Sequence, residues 1–383
     1  MIKQILILGG GTGGLVAANE LHKKLSKEHK IILIDKNDEH IYAPSFLWLM
    51  GGKRKAEKIQ KSLGLLKRKG INFINDEIVK IIPEKKIVKT KKNEFYYDYL
   101  IISLGAELVP ENIKGLSQAG YNLYQIADIE RLRGGLKEFK GGKVAIVISS
   151  LPFKCPAAPY EAAFLLEEYF SKKGLRKKIE INIFTPEMLP MPAAGPENGE
   201  IIKSMLESKN IIFNPEIQLA SVNPNKKELR FEGNKIINYD MLIFVPPHQG
   251  PKVIKESGVG NEMGWIPVDK NTLKTNYDDV FAIGDVASIT LDSGKPLPKA
   301  GVFAHFEAEI VAENIAAEIN DLKADKKYDG HAYCFLEIGY GKAGFAGGNF
   351  YAKPSPLIKM KKPGRIWHLE KVLFEKYWFW KWF

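Results

Sequence analysis

Two thiols stand out in this chain of 383 residues: Cys155, in SSLPFKCPAAPYE, and Cys334, in HAYCFLEIGYGKAGFAGG. Two cysteines are too few for a disulfide scaffold or a four-ligand zinc site, so any chemistry belongs to individual thiols and no metal is expected. A thiol acts as a nucleophile or redox group through its thiolate. Taken singly, each cysteine reads first as a small buried apolar residue, and placement has to decide. Cys155 follows the strand-like KVAIVI and precedes Glu161 by six positions. Glu161 falls at the predicted start of a helix, where a carboxylate either serves as a base toward a thiol or complements the helix dipole.

The elements that must position these residues begin with KQILILGGGTGGLVAANELHKKL. It reads as a hydrophobic strand, the turn Gly9-x-Gly11-Thr12-x-Gly14 and an Ala-rich amphipathic helix. The glycines allow a tight turn and close approach to a pyrophosphate, and the helix N-terminus stabilises its charge. KIILID then ends in Asp35, with Lys36 next, about twenty residues past the last glycine, where an acid accepts from a ribose 2′-hydroxyl. A glycine triplet alone marks only a turn; strand, glycines, helix, strand and acid in order mark a dinucleotide site. NYDDVFAIGDVAS, residues 276–288, resembles the second FAD-binding motif of two-dinucleotide-fold flavoproteins, whose aspartate binds the ribitol; Gly284 and Asp285 match it. YDYLIISLGAEL, ending near Gly105, matches the strand and turn that cross between their domains. FAD is therefore the expected cofactor. Lys299 and Gly301 in LPKAG follow, Lys299 either facing the flavin or solvated, with Lys342 a weaker lysine of the same kind and His305 and His331 near the presumed acceptor side.

A second α/β unit runs through GGKVAIVISS, APYEAAFLLEEYFSKKG and KIEINIFTP. Its loop holds Ser149, Ser150, Leu151, Pro152, Phe153 and Lys154 where glycines belong. Bulky side chains block backbone approach to a pyrophosphate, and proline removes a donor. After the next strand Thr185 and Pro186 stand where an acid is needed, with Glu187 displaced. A pyridine nucleotide is not expected here, and the absence of a CxxC pair argues against glutathione- or thioredoxin-reductase chemistry. The reading is an α/β fold of two Rossmann-like domains: 1–108 and 270–345 form the FAD domain, 109–269 the second domain, and 346–383 an amphipathic membrane-binding segment.

With 45% hydrophobic and 26% charged residues the chain reads as globular and long enough for two domains. The net charge is +11, and residues 353–383 hold eight Lys or Arg against two Glu. That concentration, without a nucleic-acid motif, points to one local anionic contact rather than to nucleic acid. Four of the six tryptophans lie in the last 17 residues, among lysines, as at a membrane interface; a helix docked in the core is the alternative. No signal peptide or bilayer-spanning run is read, so the chain is expected to be made and folded in the cytoplasm, and the tail gives the expectation of peripheral membrane association on an unassigned side.

Over essentially its whole length the sequence resembles the sulfide:quinone oxidoreductases and the flavoprotein subunit of flavocytochrome c sulfide dehydrogenase. The resemblance is carried by GGGTGG, YAPSFLWLMGG, KCPAAPYE, FAIGDVA, LPKAGVFAHFEAEIVAENI and CFLEIGYGKAGF. It implies that Cys155 and Cys334 flank the isoalloxazine and that hydrosulfide opens a disulfide or sulfur-bridged pair, leaving a persulfide and a thiolate that pass two electrons to FAD. The early cysteine that attaches flavin in some relatives is missing from HIYAPSFLWLM, so FAD is non-covalent. The third cysteine of many members is missing from GYNLYQIADIERL. The tail favours a quinone as acceptor over a soluble cytochrome. An NADH:quinone oxidoreductase and a sulfur-carrying or redox-sensing flavoprotein are the other readings, and a homo-oligomer is compatible with all of them. Because the thiols and the glycine loop lie outside residues 366–383, the tail is expected to be separable from sulfide chemistry.

Overall fold

The computed structural model describes residues 1–383. Five parallel strands form one sheet in the order Val280–Ala282, Tyr99–Ile102, Gln4–Leu8, Lys30–Asp35, Asn72–Asn75. Their apolar runs are buried on both faces, as a covered parallel sheet requires. One face carries the helices Thr12–Lys24 and Gly301–Ile319, packed on each other. Against the other lies an antiparallel sheet that includes Ile78–Ile82 and Ile87–Thr90. Strand Val280–Ala282 joins this sheet from far along the chain, so the second unit is inserted into the first.

That second unit repeats the plan. Its parallel sheet has the order Tyr121–Asn122, Met241–Val245, Gly142–Ile148, Ile179–Phe184, Ile211–Asn214. Helix Ala158–Lys172 packs on one face, and an antiparallel sheet containing Leu219–Asn223 and Glu228–Phe231 covers the other.

The end of the chain departs from the expected boundaries. Strands His331–Gly339, Lys342–Asn349 and Leu357–Gly364 form a third, antiparallel sheet, so a membrane segment starting at 346 would begin inside a strand. Helix Arg365–Trp382 follows, with two distinct faces. Lys371, Glu375, Trp378 and Trp382, spaced by four, three and four, are buried, whereas Ile366, Leu369, Leu373, Tyr377 and Trp380, spaced by three, four, four and three, are exposed.

The inner face is tied down by specific contacts. Arg54 grips Glu375 through Nε and Nη2 at 2.6–3.0 Å, and Ser45 Oγ donates to the same carboxylate at 2.6 Å. Trp378 Nε1 donates to His40 Nε2 at 3.0 Å, and Lys69 Nζ donates to the Lys381 carbonyl at 3.0 Å. The tail is thus a docked element with a second apolar face. It is not the free appendage that a purely membrane-binding segment would be. No helix is long and apolar enough to cross a membrane.

Candidate active site

Gly9 adopts φ +101°, and a Cβ there would sit 2.3 Å from the Ser103 carbonyl oxygen; a Cβ on Gly14 would sit 1.9 Å from that of Gly9. Only glycine permits this turn. Gly11 is different: a Cβ there would have no neighbour within 4 Å, which leaves its backbone open to a ligand. Thr12 and Gly301 each begin a helix, and a Cβ on Gly301 would lie 3.3 Å from Thr12 Oγ1. Two helix N-termini therefore converge beside the open backbone, a double source of partial positive charge. Asp35 accepts from Gly10 N at 2.6 Å and Asn37 N at 2.7 Å, pinning the loop with acceptor capacity to spare. Lys36 is exposed, and a Cβ on Gly105 would meet nothing within 4 Å. This cradle fits a dinucleotide diphosphate.

Gly284, at φ +71°, donates its N–H to the buried Glu307 at 2.6 Å. Burial pushes Glu307 up to about 7. Asp285 is also pushed up by burial, against the opposing charges of Lys154 and Lys299. Lys299 is not solvated. Its Nζ donates to the carbonyls of Asp285 at 2.6 Å and Ala287 at 3.2 Å and lies 3.8 Å from the Trp265 ring centroid, and burial draws its pKa down to about 8.

The thiol loop meets this segment directly. Cys155 N donates to the Lys299 carbonyl at 2.6 Å, Lys154 and Lys299 form a parallel bridge, and Tyr124 Oη donates to the Cys155 carbonyl at 3.2 Å. Cys155 itself has φ +49°, a strained conformation for a residue with a side chain. Cys334 stands on strand His331–Gly339, opposite Ala346. The residue is exposed to solvent, and the protein packed around it raises the thiol to about 11. Burial also drives the Cys155 thiol well up, with Glu161 and then Cys334 adding to the rise and Lys371 opposing it. The two free thiols share one electrostatic field.

Glu161 lies in the first turn of its helix but is only 3% exposed. Its Oε1 accepts from Lys371 Nζ at 2.9 Å and from Glu337 N at 2.7 Å. It is therefore neither an unengaged base nor a solvated dipole partner, because a cation from the C-terminal helix holds it. Glu337, fully buried, meets His368 Nδ1 at 2.9 and 3.1 Å. Lys371, Glu337, His368 and Tyr124 were not among the sequence candidates. For Lys371 a buried-face spacing through residues 371, 375, 378 and 382 was the available signal, masked by the basic composition around it.

Of the remaining candidates, Lys342 is exposed, and His331 is exposed and paired with Asp329. His305 lies between Glu309 and the rings of Trp378 and Trp382. In the second unit Ser149 Oγ donates to the Val245 carbonyl at 2.6 Å and Phe153 is buried. Glu187 points inward, accepting from Tyr160 Oη and, at 3.1 Å, from Thr185 Oγ1, and burial raises it to about 7. No acid is presented to a ribose at that position.

Two nucleotide folds with thiols at their junction define a class of redox protein, and a family model described as Pyridine nucleotide-disulphide oxidoreductase matches residues 3–308. The chain is 29% identical over 368 residues to the mitochondrial sulfide:quinone oxidoreductase of Mus musculus, covering 92% of this chain and 79% of that one. It is 30% identical over 356 residues to that of Dictyostelium discoideum, covering 89% and 76%. It superposes on the X-ray structure of the sulfide:quinone oxidoreductase from Aquifex aeolicus with a TM-score of 0.89 and 26% identity, covering 99% of this chain and 91% of that one. The chain belongs to the pyridine nucleotide-disulphide oxidoreductases and, within them, to the sulfide:quinone oxidoreductases.

Proposed function

We propose that this protein oxidises sulfide with FAD and passes the electrons to a quinone. The observation that carries the reading is the junction itself: where a second phosphate loop would stand, Cys155 is bonded through its backbone to Lys299 beside the Gly284-Asp285 turn, with Cys334 in the same field. Residues 1–108 and 270–345 form the FAD part, which carries Cys334, with 109–269 as a second Rossmann-like part that carries Cys155 and lacks a functional NAD loop. FAD is held non-covalently by Gly9, Gly11, Thr12, Gly14, Asp35 and Lys36 at the diphosphate and ribose and by Gly105, Gly284, Asp285, Lys299 and Gly301 nearer the ring. When bound, it would supply a two-electron acceptor for sulfur and a donor to the quinone.

The protein's own residues perform the sulfur chemistry. Hydrosulfide attacks the oxidised Cys155–Cys334 pair; one sulfur–sulfur bond forms as another breaks, leaving a persulfide on one cysteine and a thiolate on the other. Loss of two electrons and of the persulfide proton closes the pair around one additional sulfur atom. Both contacts to Glu161 fall on Oε1, so Oε2 is the atom that accepts this proton. Further hydrosulfide then lengthens or releases the chain.

The exposed stripe Ile366, Leu369, Leu373, Tyr377 and Trp380, flanked by Lys376 and Lys381, suits a peripheral membrane contact that gives access to a lipophilic acceptor. The reading is tested by anaerobic stopped-flow spectroscopy. Sulfide should bleach the flavin while NADH should not, and decylubiquinone should restore it. Bleaching by NADH alone would make the protein an NADH:quinone oxidoreductase, and reoxidation by cytochrome c but not by quinone would assign a soluble acceptor.

A further inference from the structure

The C-terminal helix delivers one charged group to Glu161, which stands in the first turn of the helix that follows Cys155 and is bonded to Glu337 N on the strand that carries Cys334. Lys371 is 6% exposed, a rare position for a lysine. It reaches Glu161 at 2.9 Å and lies 5.5 Å from the Trp48 ring centroid. Of the other elements around the thiols, helix Ala158–Lys172 brings Glu161, strand His331–Gly339 brings Glu337, and Tyr124 and Tyr42 stand near Cys155 and Cys334 respectively; the two lysines of the thiol loop and its partner segment are engaged elsewhere, Lys299 Nζ on the carbonyls of Asp285 and Ala287 and Lys154 Nζ 5.9 Å from the Tyr124 ring centroid. His368, on the same helix as Lys371, is committed to Glu337, and Arg54 to Glu375.

Resting on the reading that Cys155 and Cys334 are the redox thiols, we infer that Lys371 is a positioning residue for them: its ammonium is the counter-charge against which the sulfur anion forms, and Glu161 holds it in place between turnovers. Before attack Glu161 and Lys371 neutralise each other. Opening the pair adds one negative charge near the buried Glu161, and without Lys371 that charge would form beside an uncompensated carboxylate. The direction at both thiols agrees, since Lys371 lowers each and Glu161 raises each. The helix that carries the outer apolar stripe is therefore also part of the sulfur site.

A sign test separates this role from mere docking. In FAD-loaded, reduced protein carrying Cys155→Ser, the rate of iodoacetamide alkylation at Cys334 is followed from pH 7 to about 11. Lys371→Met should move the profile to higher pH, and below the midpoint alkylation should slow about tenfold for each pH unit that the profile moves. Glu161→Gln should move it to lower pH, and Lys371→Arg should stay near the parent. A purely structural ion pair would loosen the helix in both variants, speeding alkylation in each with the pH midpoint unmoved, and that result overturns the inference. Should Lys371→Met not fold, an unmoved midpoint in Glu161→Gln overturns it equally. If sulfide fails to bleach the wild-type flavin, the functional reading falls instead; alkylation does not depend on that outcome.

Discussion

Trp378→Ala is the perturbation that best separates the two faces of the C-terminal helix. Trp378 is 2% exposed, its ring packs on His40, Tyr42 and His305 at centroid distances of 5.7–5.8 Å, and its Nε1 donates to His40 Nε2 at 3.0 Å. His40 Nδ1 in turn meets the carbonyl of Gly10 at 2.9 Å, so the tryptophan fixes the histidine tautomer and the histidine steadies the glycine loop. Truncating a buried tryptophan costs about 3–5 kcal/mol. At about 2–4 °C per kcal/mol for domains of 150–250 residues, the melting temperature should fall by about 6–20 °C. Trp378→Phe keeps most of the ring and isolates the lost hydrogen bond, for about 1–3 kcal/mol. Trp380→Ala, at a residue 77% exposed, should stay within about 0.5 kcal/mol of wild type. Thermal unfolding of the FAD-loaded protein reads stability, and the flavin-to-protein absorbance ratio after gel filtration reads cofactor retention, which should drop for Trp378→Ala alone. Equal effects at 378 and 380, or a Trp378→Ala protein within about 0.5 kcal/mol of wild type, would refute the docked helix.

Burial lowers the pKa of His40 to about 4 from 6.5, so the unfolded chain binds a proton that the folded one refuses. The stability held by neutral His40 is present above about pH 6.5 and lost as pH falls toward 4, about 3 kcal/mol in total; comparing urea unfolding of wild type and His40→Gln across that window should show the difference narrowing. Cys155→Ser and Cys334→Ser should each keep FAD and lose sulfide-driven flavin bleaching by at least about a hundredfold, since each removes one partner of the exchange; wild-type rates in both would end the thiol mechanism. Replacing Leu369, Leu373 and Trp380 together with serine should weaken binding to anionic vesicles by at least about tenfold and collapse long-chain quinone turnover in lipid, with sulfide bleaching preserved. Unchanged vesicle binding would assign the stripe elsewhere.

What the sequence made legible is what local chemistry dictates. A backbone that must approach a diphosphate demands glycine at Gly9 and Gly14, and a loop that does not can hold Phe153 and Cys155. The thiol loop, the Gly284-Asp285 turn and both parallel sheets follow from such short-range requirements. The tail does not. Trp378 finds its partner 338 positions away, Glu375 finds Arg54 at a separation of 321, and Lys371 finds Glu161 at 210. Nothing local distinguishes a lysine bound for a buried carboxylate from one bound for lipid. For the same reason Lys299 could be read as solvated, and the tail as separable from sulfide chemistry, an expectation that the inferred role of Lys371 opposes and that the Lys371 variants test.

The two faces of the helix also need not compete. Inside residues 353–383, Lys371 and Glu375 are the charges withdrawn from the surface, one of each sign, so the surplus of six that the proposed contact with an anionic surface would use is untouched by docking. The outer stripe, for its part, contributes none of the four residues that seat the helix. Screening by salt should therefore weaken the lysine contacts while leaving both apolar faces in place, and high salt alone should release the protein from vesicles only in part. Deleting the helix would remove the proposed membrane contact, the buried cation on Glu161 and the brace on the glycine loop at once. Substitutions confined to one face distinguish these effects, because the 3.6-residue period places the stripe and the seat on separate sides of one rod.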